Sequence, residues 1–423
     1  MVILHRVVNL SNGIQVVTEY MDYAGSVSAG VWVFAGSFLE TTQNNGVSHF
    51  VEHLLFKGTE SRTAREIAHC MDAVGGQINA VTAKEYTCYY TKTLPEHLDA
   101  ALELLGDMLT NSNLAQEDID TERKVILEEI SMCGDDAEDL IYDIACRAMW
   151  KDASLGFPVT GTVQRAEGLD RNEIVEYFKE RYTAENIVIS VAGKFDQGRV
   201  IESLEKGFGG IKRCGAADRS QKKLIHTQSI EIVNKDIEQC QLCIGFEGFP
   251  RVSPKDCQLD ALNALFGGNM SSRLFQKVRE EQGFAYSVYS DVASHLNNGS
   301  MCIWAGLNPE NLVKVLEIIN WEIKALKKHS FTETELETAK TQLKASLIMD
   351  NEGVSSRECA NGKELLLDGS IEPLSRIQKR IDSVTVQDVA DVIDFVFDRN
   401  RMTVALLGKT QIREEQILNI LDF

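Results

Sequence analysis

"LDRNEIVEYFKERYTAENIVISVAGK" (169–194) and "VTVQDVADVIDFVFDRNRMTVALLGK" (384–409) organise this sequence. Aligned without a gap at an offset of 215, they set Gly193 on Gly408, Lys194 on Lys409, Tyr182 on Phe397, Phe178 on Ile393 and Ile174 on Val389. Each copy reads as a capped amphipathic helix, a turn, and an apolar strand ending at Gly-Lys. The first strands repeat as well, "IQVVTE" from Ile14 and "IEIVNK" from Ile230. The simplest account is two copies of one domain, 1–210 and 229–423, joined by a polar, aperiodic linker at 211–228.

Within a half, strands and helices are mixed. "NLSNGIQVVTEY" (9–20) is a hairpin signal, and "SVSAGVWVFAGSF" (26–38) alternates like a half-buried strand. "GGQINAVTAKEYTCYYTKTL" (75–94) offers a strand pair after a glycine break. "PEHLDAALELLGDML" (95–109) opens with proline and puts Leu98, Leu102, Leu105 and Leu109 on one helical face. "AQEDIDTERKVILEEISMC" (115–133) is the next helix. Hairpins joined to blocks of helices predict an α+β fold: two homologous domains, each a mainly antiparallel sheet with helices on one side.

Composition narrows the function. With 423 residues, 44% hydrophobic and 25% charged, the chain is long and apolar enough for real cores. No apolar run approaches the ~18 residues of a membrane span, and the N-terminus has no secretory pattern, so a cytoplasmic address is expected. The net charge of −20 argues against nucleic acid and anionic membrane as partners; it is compatible with a basic or extended peptide, although a solvating surface is the commoner reason for acidity. The ten cysteines read as reduced and mostly buried. Cys240 and Cys243 are spaced CxxC, but on a strand such residues point to opposite faces, and no second pair completes a zinc knuckle.

The chemistry lies at 49–53, "HFVEH". Helical spacing gathers His49, Glu52 and His53 on one face and turns Val51, Leu54 and Leu55 elsewhere. Two imidazoles one turn apart can chelate one zinc ion, with Glu52 placed to take a proton from the attacking water. The alternative is two core histidines and a helix salt bridge. Three residues of the right kind in five positions favour the metal. A catalytic zinc needs a third protein ligand. The helix at 115–133 offers Glu122, Glu128 and Glu129. Glu122 and Glu129 share a stripe with Ile119, Ile126 and Cys133, and Glu128 faces solvent; spacing alone does not choose among these acids. His5, His69, His97, His226, His295 and His329 form no cluster in the sequence.

With these residues in view, the chain resembles the insulinase/pitrilysin family of zinc peptidases, whose inverted zinc motif is HxxEH. It is most similar to the bacterial two-domain members related to mitochondrial processing peptidase. The likeness runs through "GVSHFVEHLLFKGT", "GGQINAVTAKEYTCYY", "ERKVILEEI", "LGFPVTGT" and "SSRLFQKVREEQGFAYSVYS". It implies the family's metallohydrolase fold and one zinc ion held by His49, His53 and a glutamate 76 residues past the second histidine, Glu129. It implies Glu52 as general base, Glu122 as the helper acid, and substrate added as a strand beside Asn79 and Ala80. It also implies an arginine and a tyrosine from the second half, Arg279 and Tyr286, on the substrate. The second half keeps no ligands: matching Leu55-Phe56 to Leu265-Phe266 sets His49 on Leu259, Glu52 on Leu262 and His53 on Asn263.

The expected activity is therefore zinc-dependent endopeptidase action on extended or unfolded peptides inside a dimeric clamshell chamber. In such a homodimer, or a heterodimer with an inactive homologue, Arg279 and Tyr286 of one subunit complete the site of the other. The rival readings are a peptidase dedicated to one precursor and a non-catalytic partner subunit.

Overall fold

A computed structural model describes residues 5–151, 153–217, 219 and 223–423. The chain forms two compact units that interleave in sequence: Met1–Met132 with Phe157–Arg219 and Met349–Pro373, and Cys133–Gly156 with Ser220–Ile348 and Leu374–Phe423. The linker expected at 211–228 falls partly outside the described residues.

The first unit is built on a six-stranded sheet: β1 (His5–Asn9), β2 (Gln15–Tyr20), β3 (Val27–Val33), β4 (Gln77–Thr82), β5 (Thr87–Thr93) and β6 (Ile187–Gly193), in the order β1-β2-β6-β3-β5-β4. All neighbours are antiparallel except β2 and β6. The second unit holds β7 (Ser229–Val233), β8 (Cys240–Glu247), β9 (Ala285–Ser294), β10 (Gly299–Leu307) and β11 (Thr403–Leu407), ordered β7-β11-β8-β10-β9. Its one parallel pair is β7 with β11, so the second sheet repeats the first without its outermost strand. Both units are α+β with mainly antiparallel sheets.

The repeated segment explains this topology. Asp170 and Thr385 each cap their helix through a reciprocal capping box with the residue three positions on, Glu173 and Asp388. Ile174 and Val389 are fully buried on those helices. Of the strands that follow, β6 ends at Gly193 (φ +131°) and β11 is followed directly by Gly408 (φ +141°), a backbone region side chains rarely adopt. A Cβ on Gly193 would also sit 2.5 Å from the Ser26 carbonyl.

The "SVSAGVWVF" strand reads as half-buried but is buried on both faces along its whole length. Val27, Ala29, Val31 and Val33 join the main core of the unit. Ser28, Gly30 and Trp32 lie under the Val354–Asp368 helix, which comes from the second repeat. Trp32 Nε1 donates to Glu358 Oε1 at 2.7 Å, and a Cβ on Gly30 would meet that oxygen at 2.1 Å. The buried Arg357 of this helix grips the buried Glu19 of β2 through Nε (3.0 Å) and Nη2 (2.7 Å).

The second unit mirrors this. The Ala137–Trp150 helix of the first repeat packs on β8 and β11, with Tyr142 stacked on Trp304 at 6.0 Å. Each half of the chain therefore lends one helix to the other half's sheet. All ten cysteines are free, and Cys240 and Cys243 are buried on β8.

Candidate metal centre

The motif helix, Val47–Leu55, drives Val47, Phe50, Val51, Leu54 and Leu55 into the core of the first unit. Its start is held by Glu40. The buried carboxylate accepts the Gly46 N–H (2.7 Å), the Ser48 N–H (2.8 Å) and the Asn45 amide (2.9 Å). The two backbone N–H groups, of Gly46 and Ser48, are among the donors a helix N-terminus leaves unpaired. Ser48 Oγ also lies 2.6 Å from the Tyr177 hydroxyl. Gly46 (φ +92°) packs so close to Gly161 that a Cβ would come within 2.8 Å of its Cα. Start and apolar face are thus both anchored, and the polar face has one orientation.

That face carries His49, Glu52 and His53, with the two imidazole centroids 4.6 Å apart. The Gln116–Asp135 helix crosses it, seated by Ile119 and Ile126 and by Arg123, which donates to the carbonyls of Ala166 and Leu169. Glu128 on this helix is exposed. Glu129 reaches both imidazoles: Oε1 lies 3.5 Å from His49 Nε2 and Oε2 lies 3.5 Å from His53 Nε2. One ligand atom from each of His49, His53 and Glu129 falls within 4.8 Å of the others. Among the described residues no other such group occurs. In a tetrahedron with bonds of ~2.0–2.2 Å, ligand atoms stand roughly 3.3–3.6 Å apart. The donor set and its spacing fit zinc.

The electrostatics point the same way. Burial, with His53 beside it, pushes His49 down to about 4 against the pull of Glu129, so its ring is neutral and keeps a lone pair. For His53, burial opposes the charge, but hydrogen bonds to Glu129 and Glu122 outweigh it and raise the imidazole. The His53 hydrogen bond holds the Glu129 carboxyl below its ordinary range despite partial burial. The same negative field that favours a proton on His53 favours a metal cation in its place.

Glu122, on the same helix stripe, is 2% exposed; its Oε2 accepts from His53 Nδ1 at 3.1 Å and its Oε1 pairs with Lys57 Nζ at 2.7 Å. Glu52 accepts a hydrogen bond from Thr82 Oγ1 at 2.5 Å. Its carboxyl is pushed up by burial, against the Thr82 bond and His53. Glu40, Lys57 and Thr82 escape a reading by spacing. Lys57 alone carried a signal, four positions past His53; Glu40 and Thr82 arrive through the fold.

Asn79 and Ala80 lie on β4, an open edge of the first sheet, where Asn79 Oδ1 accepts the Ala80 N–H at 2.9 Å. Arg279 and Tyr286 belong to the second unit, the arginine on a π-helical turn (Phe275–Glu280) and the tyrosine on β9. The Arg279 guanidinium carbon lies 5.8 Å from the Tyr286 ring centroid, and Tyr286 is 77% exposed. In that unit Leu259 and Leu262 are buried core residues, and Asn263 accepts a hydrogen bond from Ser290 at 2.6 Å.

Two interleaved α+β units, one carrying an inverted HxxEH helix opposite a glutamate, define a class of metallopeptidase. The insulinase (peptidase family M16) profile matches residues 15–163, and the M16 inactive-domain profile matches 168–343; the chain belongs to this family. It is 39% identical to the uncharacterized zinc protease YmxG of Bacillus subtilis, covering 89% of this chain and 92% of that one. It is 35% identical to the uncharacterized zinc protease SCO5738 of Streptomyces coelicolor, covering 98% and 92%. In fold it is similar to a protease from Helicobacter pylori (TM-score 0.90, 24% identity, 97% of this chain and 100% of that one). It is also similar to a peptidase M16 inactive domain from Pseudomonas fluorescens (TM-score 0.88, 16% identity, 97% and 99%). Among the described residues no helix is long and apolar enough to cross a membrane.

Proposed function

We propose that this chain is a zinc-dependent endopeptidase that hydrolyses extended or unfolded peptides. The observation that carries the reading is the convergence of His49 and His53 on Glu129, with Glu52 between the histidines on the same helical face. His49, His53 and Glu129 hold one zinc ion. When bound, zinc supplies a Lewis acid for the scissile carbonyl and a lowered pKa for the attacking water.

The chain's own residues do the rest. Glu52 takes the proton of the attacking water and returns it to the leaving amine, with the Thr82 hydroxyl fixing one carboxylate oxygen. Glu122 orients the His53 ring through Nδ1. The open edge of β4 offers backbone N–H and C=O groups to an extended peptide, a mode that tolerates many sequences. Arg279 and Tyr286 contact the substrate from the second subunit of a dimer, in which the two chains close a clamshell chamber.

The test is Glu52→Gln beside the unaltered protein. Both should contain zinc at one ion per chain, and the variant should lose peptide hydrolysis by roughly 10²–10⁴-fold. Unaltered protein that holds no zinc, or a variant with undiminished turnover, overturns the reading. Products from a peptide library separate a broad peptidase from one dedicated to a single precursor.

A further inference from the structure

We infer that Lys57 is a positioning residue for the metal centre: it fixes Glu122 so that His53 presents its Nε2 lone pair toward the ion. This rests on the zinc reading of the site.

Glu122 is buried at 2% exposure, and each of its oxygens has one partner: Lys57 Nζ at 2.7 Å on Oε1, His53 Nδ1 at 3.1 Å on Oε2. A buried carboxylate needs a charge partner and donors. Lys57 provides both and is itself well placed. Its N–H closes the end of the motif helix on the Leu54 carbonyl at 3.0 Å, and the next residue, Gly58, bridges to Thr63. An ammonium can only donate, so it leaves the Glu122 carboxylate as a pure acceptor toward His53. Nδ1 must then be the donor, and in a neutral ring the lone pair falls on Nε2, which faces Glu129 Oε2 at 3.5 Å. Without the lysine, Glu122 has no cation on its outer oxygen and is free to turn away from the ring. An ordinary surface ion pair would join two exposed groups; here the acid is buried and touches a ligand, and the lysine is only about one-third exposed.

The experiment measures zinc affinity by chelator competition on full-length protein carrying Lys57→Met, Lys57→Arg, Glu122→Gln and the double variant Lys57→Met/Glu122→Gln. Lys57→Met should weaken zinc binding by roughly 10–100-fold, the range for groups that orient metal ligands. Lys57→Arg should restore most of it. The Lys57→Met effect should vanish in the Glu122→Gln background, because the lysine acts through that acid. Unchanged zinc affinity in Lys57→Met, an arginine variant as weak as the methionine one, or additive losses in the double variant would each overturn the inference. Should Lys57→Met not fold, Lys57→Gln completes the same cycle. Unaltered protein that binds no zinc would sink the peptidase reading itself, an outcome distinct from a loss confined to the Lys57 variants.

Discussion

At the scale of single residues, the site depends on side chains with one permitted orientation. Thr82 reaches Glu52 from β4, so the proposed general base is held by a different element from its own. Thr82→Val should lower kcat by roughly ten- to a hundredfold with zinc content unchanged, since a small misplacement of a reacting group costs about that much. Steady-state kinetics with metal analysis checks this. Glu129 is the proposed ligand from outside the motif helix, and removing it leaves the proposed ion two protein ligands in place of three. Glu129→Ala should lose zinc on dialysis that leaves the unaltered protein loaded, as elemental analysis would register. Helical periodicity made His49, Glu52 and His53 legible as one face. It left Glu122 and Glu129 undivided, because a stripe says which residues are neighbours and not which of them meets another helix.

At the scale of elements, two features hold the site and its unit in place. Glu40 closes the N-terminus of the motif helix with three hydrogen bonds from buried or confined donors. Glu40→Ala should cost about 1–3 kcal/mol in urea unfolding and lower zinc affinity along with stability. The second feature is the Val354–Asp368 helix on the first sheet. Burial pushes its Glu358 carboxyl up from the ordinary 4.5 to about 8, against the Trp32 hydrogen bond. Between those values the folded chain keeps a proton that the unfolded chain has released, so the contribution of this group to stability falls as pH rises through the window. Glu358→Gln should flatten that decline and be the more stable protein at pH 8, read as urea midpoints at pH 5, 6.5 and 8. Neither feature had a signature in the sequence. A glutamate several positions before a helix, or one inside it, looks like surface charge until its neighbours are known.

At the scale of the whole molecule, the helix exchange sets how the chain can be divided. A cut between residues 210 and 229 follows the sequence repeat, yet each fragment would lack the helix that covers the second face of its sheet. For 1–210 the loss includes the buried Arg357–Glu19 pair, and leaving one partner of such a pair alone costs about 3–5 kcal/mol. Fragments 1–210 and 211–423 should each fail to fold alone and should co-purify when co-expressed, as size-exclusion chromatography would show. The proposed dimer has its own test. Glu52→Gln and Arg279→Ala chains, each inactive alone, should regain part of the activity when mixed. No recovery between chains shown to exchange would count against a shared site.

The repeat at 169–194 and 384–409, the strand pairs, the motif helix and its three polar residues were all written in local pattern. Caps, periods and turn residues act over a few positions, and a linear reading reaches that far. Which glutamate meets the histidines was left open by spacing and named only through the family resemblance; which hydroxyl holds Glu52, which cation faces Glu122 and which helix covers the strand at 27–33 were decided only in three dimensions. The reason is physical: burial and charge pairing depend on what lies across a gap in space. An amphipathic face announces that it needs a partner without saying which segment will fill the place.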